Sequence, residues 1–377
     1  MSGVRRMFSL DRSCAYLNHG SFGAVPKAVQ DAQVSVRRDI EVNPHRFYSQ
    51  EYPKLLRDAR RCVAEWINHE AEGLVFVKSV TEGVNAVIWS VPLSTGDEVV
   101  TTSHEYDSLL EAWRRRCRSA GAKLVVADPS YTSMDDWMRD LSSYISDRTR
   151  VLYLSHITSS TALRVDIGAL VSAARPKGTV VIIDGAHGPG HIRLGLGDIG
   201  CDVYIGSLHK WAMFPRGASF IAAAPDVRDT MEPSLVSWYH DEMRLANRFE
   251  WQGTSDPSAW LVADTAIDFV HRAQAMGAYD RAARLSMHAE SRLLDIEGVV
   301  PVTPASMRPP YFFSVTLDVP ESVLRSALHR ANVWAWTGWW GGKTLMRIST
   351  FLYNDKSEIE RLVNVVRGIV RETVGSA

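Results

Sequence analysis

The sequence predicts an α/β protein: a mostly parallel seven-stranded sheet covered by helices, followed by a smaller α+β C-terminal domain. Three observations carry the prediction. Thr179-Val180-Val181-Ile182-Ile183 and Val203-Tyr204-Ile205-Gly206 are near-continuous apolar, β-branched runs, as in strands covered on both faces. Seven strand-like runs end near residues 79, 103, 128, 157, 184, 207 and 224, with helical patterns between them. From Ala259 a long helical region leads into a strand, a helix and a strand, over Tyr311–Leu317, Glu321–Ala331 and Leu345–Ser349, and an amphipathic helix over Asp355–Thr373 closes the chain. The expected division is an N-terminal arm over 1–20, a large domain over 21–255 and a small domain over 256–377.

Taken in order, Met1–Leu10 is expected to be a mobile arm, and Asn18–Gly23 a glycine-rich turn leading through Pro26 into a helix. Leu55, Leu56, Ala59, Cys62, Val63, Trp66 and Ile67 recur at helical spacing and mark a core-facing helix. Gly73–Lys78 is a short strand, and Thr81 stands near the N-cap of the helix that follows. Such a helix start offers unpaired N–H groups and suits a phosphate, with the Thr81 side chain and the backbone of Val80 and Glu82 as contacts. An ordinary cap would look identical. Glu98–Ser103 is a strand, and Leu109, Leu110, Trp113 and Cys117 line the inner face of the helix after it, with the nearby arginines facing water. Lys123–Asp128 and Val151–Ile157 are further strands, and Ser234–His240 is expected to be a mobile loop.

Lys+Arg 42 against Asp+Glu 43 leaves a net charge near zero, which argues against a nucleic-acid-binding surface. No apolar stretch is long enough to span a bilayer, and no signal peptide is visible. Cys14, Cys62, Cys117 and Cys201 are scattered without a CxxC pair, so a reduced, cytoplasmic protein is expected.

The chemistry centres on Asp202-Val203-Tyr204-Ile205-Gly206-Ser207-Leu208-His209-Lys210-Trp211. A lysine presented just past a buried strand loses solvation unless it is paired or neutralised, and a lysine of lowered pKa forms imines with carbonyls. Asp184 ends the preceding strand, where open α/β sheets bind ligands. An acid and a lysine at neighbouring strand ends suit pyridoxal 5'-phosphate (PLP): the lysine holds the aldehyde as a Schiff base, and the carboxylate keeps the ring nitrogen protonated.

Asp184-Gly185-Ala186-His187 followed by Ser207-Leu208-His209-Lys210 resembles the cofactor core of class V aminotransferases, which are fold-type I PLP enzymes. Leu17-Asn18-His19-Gly20-Ser21-Phe22-Gly23 and Trp251-Gln252-Gly253-Thr254-Ser255-Asp256 are similar to the isopenicillin N epimerase-like branch. The resemblance implies Lys210, Asp184 and His104 as catalytic residues and an N-terminal segment, with Asn18 and His19, that folds over the active site and touches substrate. It implies a cofactor phosphate on the Val80-Thr81-Glu82 turn and Ser207 and His209 among the cofactor contacts. His104, with Tyr106 second, would stack on the pyridine ring; Tyr106 is also a candidate substrate contact. Ser159 or His187 would face the ring hydroxyl, and Thr254 would reach a partner's phosphate in an expected homodimer with shared active sites. Arg347-Ile348-Ser349 resembles the R-x-S of this class, so Arg347 would pair the substrate α-carboxylate bidentately.

Two patterns are rejected. Gly195-Leu196-Gly197-Asp198-Ile199-Gly200 satisfies GxGxxG, but a strand rather than a helix follows it. His187 and His191 are separated by Gly188-Pro189-Gly190, which precludes a helix aiming both at a metal, so no metal is assigned. Trp334-Ala335-Trp336-Thr337-Gly338-Trp339-Trp340-Gly341-Gly342 is either a packed strand and turn or an aromatic wall beside a bulky substrate.

An amino-acid substrate follows from these parts. Cysteine desulfurases carry a nucleophilic cysteine shortly before the R-x-S arginine, and Val333–Met346 has none. The expected activity is a C–S β-lyase acting on a bulky S-substituted cysteine-like substrate in specialised metabolism. An amino-acid epimerase is the nearest alternative and needs a second base, with Tyr106 or His19 as candidates. Transamination and decarboxylation stay open. A non-catalytic PLP-binding regulator is disfavoured by the intact Asp184, Lys210 and Arg347.

Overall fold

The computed structural model describes residues 3–238 and 244–374. Its large sheet has seven strands: β1 (Leu74–Val77), β2 (Glu98–Thr102), β3 (Lys123–Ala127), β4 (Thr149–Ser155), β5 (Val180–Gly185), β6 (Val203–Ser207) and β7 (Ser219–Ala223). The spatial order is β1-β7-β6-β5-β4-β2-β3. β7 runs antiparallel to both of its neighbours, and the remaining pairs are parallel. The apolar runs are strands buried on both faces. Phe76, Leu152, Leu154, Val181, Ile183 and Tyr204 enter one core, while Val75, Val77, Val151, Tyr153, Ile182, Val203 and Ile205 enter the other.

Register sets the site. Ser155 pairs with Asp184 across β4 and β5, and Asp184 pairs with Ile205 across β5 and β6. The C-terminal ends of these three strands therefore lie side by side at the centre of the sheet.

The second sheet is antiparallel, in the order β10-β11-β9-β8, from β8 (Val300–Pro301), β9 (Phe312–Leu317), β10 (Trp336–Trp340) and β11 (Lys343–Ser349). Helices Glu321–Arg330 and Lys356–Val374 contribute to its core with Leu324, Leu328, Ile359, Leu362, Val363 and Val366. The tryptophan-rich stretch is a strand and turn, one of the two readings expected for it, and adds β10 to the strand-helix-strand pattern; Gly341-Gly342, at φ 55° and 76°, joins it to β11. That two-residue turn needs positive φ at both positions, which glycine adopts freely.

The expectation of a mobile arm over 1–10 is corrected for the described part. Gly3–Met7 forms a 3-10 helix with Val4 buried, and Phe8 packs edge-on against Phe269 and Tyr353. Arg5 is buried and pairs with Glu358 at 2.8 Å. Farther on, Ala15–Tyr16 pairs with Val333–Trp334, and Leu17 enters the core of the small sheet. Of the loop expected over 234–240, residues 239 and 240 lie outside the described residues. No helix among the described residues is long and apolar enough to cross a membrane.

Replacing Arg5 with alanine strands the Glu358 carboxylate in a buried site. The expected loss is about 3 kcal/mol of unfolding free energy, measured by urea denaturation at neutral pH.

Candidate active site

Lys210 lies in the turn after β6, inside a cavity of about 380 Å³ whose wall includes Ser155, Asp184, His187, Ser207, His209 and Arg347. The turn is held from several sides. Phe214 N–H donates to the Leu208 carbonyl, His209 Nδ1 bonds the Ala218 carbonyl at 2.8 Å, and His19 Nε2 bonds the Lys210 carbonyl at 3.1 Å. The Asn18–Gly23 turn lies over Lys210. A Cβ at Gly23 would run into the carbonyl oxygens of His209 and Lys210, so only glycine allows this approach. Desolvation lowers the Lys210 pKa to about 8, with Asp184 opposing the shift.

Asp184 is buried at the end of β5, accepting from Ala186 N–H at 2.8 Å and Tyr153 Oη–H at 3.3 Å. Desolvation raises its pKa, against the hydrogen bond and the pull of Lys210. A second buried acid, Glu105, was not recognised in the sequence. It accepts from Thr102 Oγ1 at 2.7 Å, Ser155 Oγ at 2.5 Å and Ser155 N–H at 2.8 Å. Burial raises it to about 7, with Asp184 adding to the shift. Nothing in the pattern His104-Glu105-Tyr106 distinguishes this acid from a surface loop residue; only the fold brings Ser155 against it.

The helix after β1 spans Val80–Ser90, and its N-cap is Ser79 rather than Thr81. Ser79 Oγ accepts from Glu82 N–H at 3.1 Å, and Glu82 Oε2 accepts from Lys78 N–H at 2.9 Å, forming a reciprocal cap. Ser79, Val80 and Thr81 line the cavity. Glu82 does not, and its backbone N–H is already used, which corrects its place among the cofactor contacts. Ser207 Oγ is buried and has no hydrogen-bond partner among the described residues.

Arg347, on β11, reaches the cavity from the small lobe. Its Nη1 donates to the Ser159 carbonyl at 2.7 Å, and its Nη2 donates to Asn18 Oδ1 at 3.3 Å and to Ser21 Oγ. The guanidinium lies 4.9 Å from the Phe312 ring centroid and 5.0 Å from that of Trp336. Desolvation alone lowers its pKa to about 9, and Nε is without a partner among the described residues. A buried guanidinium not neutralised by a carboxylate among the described residues is suited to an anionic ligand. Asn18 and Ser159 thus orient Arg347.

Several placements differ from the sequence reading. His104 does not line the cavity: it is buried, bonds Thr161 Oγ1 at 2.9 Å and packs 4.5 Å from the Trp340 ring, and burial lowers its pKa to about 4. Its neighbour two positions on, Tyr106, does line it. Burial of Glu105 turns the loop so that the residues on either side point apart. His19 is buried outside the cavity wall, with Nδ1 bonded to Tyr353 Oη at 3.0 Å and Nε2 to the Lys210 carbonyl at 3.1 Å. Thr254 is exposed and lines a separate cleft beside Tyr48, Tyr52 and Trp251. The tryptophan stretch divides: Trp336 lines the cavity, whereas Trp340 packs on His104 and donates to Tyr131 Oη at 3.2 Å. Phe22 also lines the cavity and is 65% exposed at its mouth. The GxGxxG segment is one short helical turn, Leu196–Ile199, and no metal-binding group of residues exists among those described.

A fold-type I sheet with an enclosed lysine beside a strand-end aspartate defines the class of PLP-dependent enzymes. The chain belongs to the class-V aminotransferase family, whose pattern it matches over residues 15–362. It is 32% identical to the isopenicillin N epimerase of Amycolatopsis lactamdurans, over 97% of this chain and 98% of that protein. It is also 29% identical to a putative L-cysteine desulfhydrase of Oryza sativa subsp. japonica, over 68% of this chain and 57% of that one. Among solved structures, the cystine C–S lyase C-DES in complex with cysteine persulfide superposes with TM-score 0.84 at 19% identity, covering 95% of this chain and 98% of that chain. Cysteine desulfurase CsdA from Escherichia coli superposes with TM-score 0.83 at 22% identity, with 98% of each chain covered. The cofactor is PLP. The residues present fit it: an amine of lowered pKa, a strand-end carboxylate, and an unpartnered buried Ser207 hydroxyl near the free N–H groups of a helix start.

Because Lys210 loses its proton as pH rises through about 8, apo-protein should take up PLP faster at pH 9 than at pH 7, read as growth of the cofactor's visible band. Glu105 binds a proton more tightly when folded than unfolded, so it opposes folding progressively as pH rises from the ordinary carboxyl value to about 7. Glu105→Gln should flatten that fall in stability, measured by apo-protein thermal melts across this window.

Proposed function

We propose that the protein is a PLP-dependent C–S β-lyase acting on a bulky S-substituted cysteine-like amino acid of specialised metabolism. The observation that carries the reading is an enclosed amine in a cavity that no cysteine lines. The four cysteines lie elsewhere, and the segment before Arg347 is the tight Gly341-Gly342 hairpin rather than a thiol-bearing loop. Elimination needs one base and a leaving group, not a thiol.

When bound, PLP supplies an electron sink for charge developing at the substrate Cα. Arg347 holds the α-carboxylate through its guanidinium fork, oriented by Asn18, Ser21 and Ser159. Lys210 Nζ takes the Cα proton. The Cβ–S bond then breaks with its electron pair on sulfur, and a proton from Lys210 Nζ completes the thiol. Asp184 would keep a proton on the cofactor's ring nitrogen. Val80 and Thr81 N–H groups, with Ser207 Oγ, would hold the phosphate, and Ser159 and His187 would face the ring hydroxyl. Phe22, Tyr106 and Trp336 border the cavity with aromatic surface, which favours a substrate bulkier than cysteine. A second copy of the chain would bring Gly253-Thr254 to the phosphate, making the enzyme a homodimer with shared sites; Thr254 is exposed and Gly253 has φ 96°.

Epimerisation is the second reading. It is favoured by the near-full-length identity to isopenicillin N epimerase and by Tyr106, whose ring is half-exposed in the cavity and would carry the second proton.

Holoenzyme incubated with S-alkyl cysteines should release pyruvate, ammonia and thiol in equal amounts. Release of none, with deuterium from solvent appearing at Cα of the opposite enantiomer, would replace the lyase reading with the epimerase one. Arg347→Lys should raise KM by roughly 10- to 100-fold, because a point charge does not reproduce the bidentate pairing.

A further inference from the structure

His187 has two nitrogens with different neighbours. Nδ1 faces Trp211 Nε1 at 3.1 Å, and Nε2 faces Lys210 Nζ at 3.2 Å. An indole nitrogen only donates, so Nδ1 must accept. A neutral imidazole carries one proton, which then sits on Nε2. The charged and titratable neighbours, Lys210, Arg347 and His191, all act with burial against a second proton. Neither ring is free to turn. Phe312 stacks on His187 at 5.1 Å and 26°. Trp211 is fully buried, edge-on to Phe312 at 5.6 Å and to Phe351 at 5.4 Å, and 4.0 Å from His191.

We propose that Trp211 is a positioning residue: by occupying Nδ1 of His187, its indole N–H keeps the imidazole proton on Nε2 and makes His187 a fixed hydrogen-bond donor into the cavity. The turn that presents Lys210 therefore also sets, one residue later, the tautomer of the histidine facing it. Two consequences follow for the chain's own groups. His187 has no free lone pair toward the cavity and does not compete with Lys210 as a base. It also presents N–H, never a lone pair, to whatever oxygen occupies that part of the site, which favours the anionic form of a cofactor's ring hydroxyl. Both hold whichever reaction the enzyme catalyses.

The direct readout needs no cofactor. In apo-protein labelled with ¹⁵N-histidine, the His187 signals should show an unprotonated Nδ1 and a protonated Nε2 above about pH 9, where the Lys210 amine is neutral and accepts from Nε2–H. A protonated Nδ1 in the unaltered protein in that range would overturn the proposal. In Trp211→Phe, the two tautomers should mix. In the holo form of that variant, the pH midpoint of the bound cofactor's visible band should move up by about one pH unit, because donation to the ring oxygen is weakened. His187→Gln supplies an amide donor that needs no tautomer. The double variant Trp211→Phe/His187→Gln should therefore return to the midpoint of His187→Gln alone. An undiminished shift in the double variant would mean that Trp211 acts through packing, and the proposal would fall.

Discussion

An amine and a carboxylate are enclosed together at the ends of adjacent strands, and burial pushes each toward its neutral form more strongly than their attraction holds them charged. Water would relieve both, so the chain must exclude it. The Asn18–Gly23 turn lies over Lys210, Arg347 and Trp336 close the cavity from the small lobe, and Tyr153 and Ala186 satisfy the Asp184 oxygens from behind. A pyridine ring protonated at nitrogen would give Asp184 the cation it lacks. A carbonyl would give Lys210 a partner that needs no charge. The desolvated pair is thus the complement of the cofactor.

The same desolvation governs the histidines. His19, His104, His156, His187 and His191 are all buried, with pKa values pushed below the ordinary imidazole range by burial before any other cause. A neutral imidazole is a directional object, with a donor on one side and an acceptor on the other. These rings therefore serve as wedges and pointers. His19 braces the backbone of the catalytic lysine, His104 fills space under Trp340, and His187 faces the amine itself. The carboxyl of Glu105, tied to Thr102 and Ser155, plays a similar bracing part behind Asp184.

Likeness to cysteine desulfurases and to a C–S lyase at about 20% identity establishes a shared frame rather than a shared reaction. Here the tight hairpin β10–β11 brings an aromatic ring, Trp336, against Arg347. Arg347 and Trp336 thus stand on one strand pair, so the charged and the aromatic parts of the cavity wall are held in fixed relation.

Much of this molecule is legible residue by residue. Strands buried on both faces are continuous apolar runs, so the seven strands end at or within two residues of the positions expected from the sequence. Asp184 is visible because it ends such a run and Lys210 because it lies just past one, whereas Arg347 is visible through the resemblance of Arg347-Ile348-Ser349 to the R-x-S of class V enzymes. Which of two residues past a strand end turns inward is a different matter. The resemblance favoured His104 over Tyr106, whereas the structure places Tyr106 on the cavity wall and buries His104 away from it, with Glu105 between them bound to Ser155 on β4. The bracing role of His19 and the tautomer of His187 were likewise decided by groups distant in sequence. Local patterning determines where a buried segment begins and ends, because burial is a property of the segment. Direction and protonation depend on what lies across the gap, and that exists only once the chain has folded.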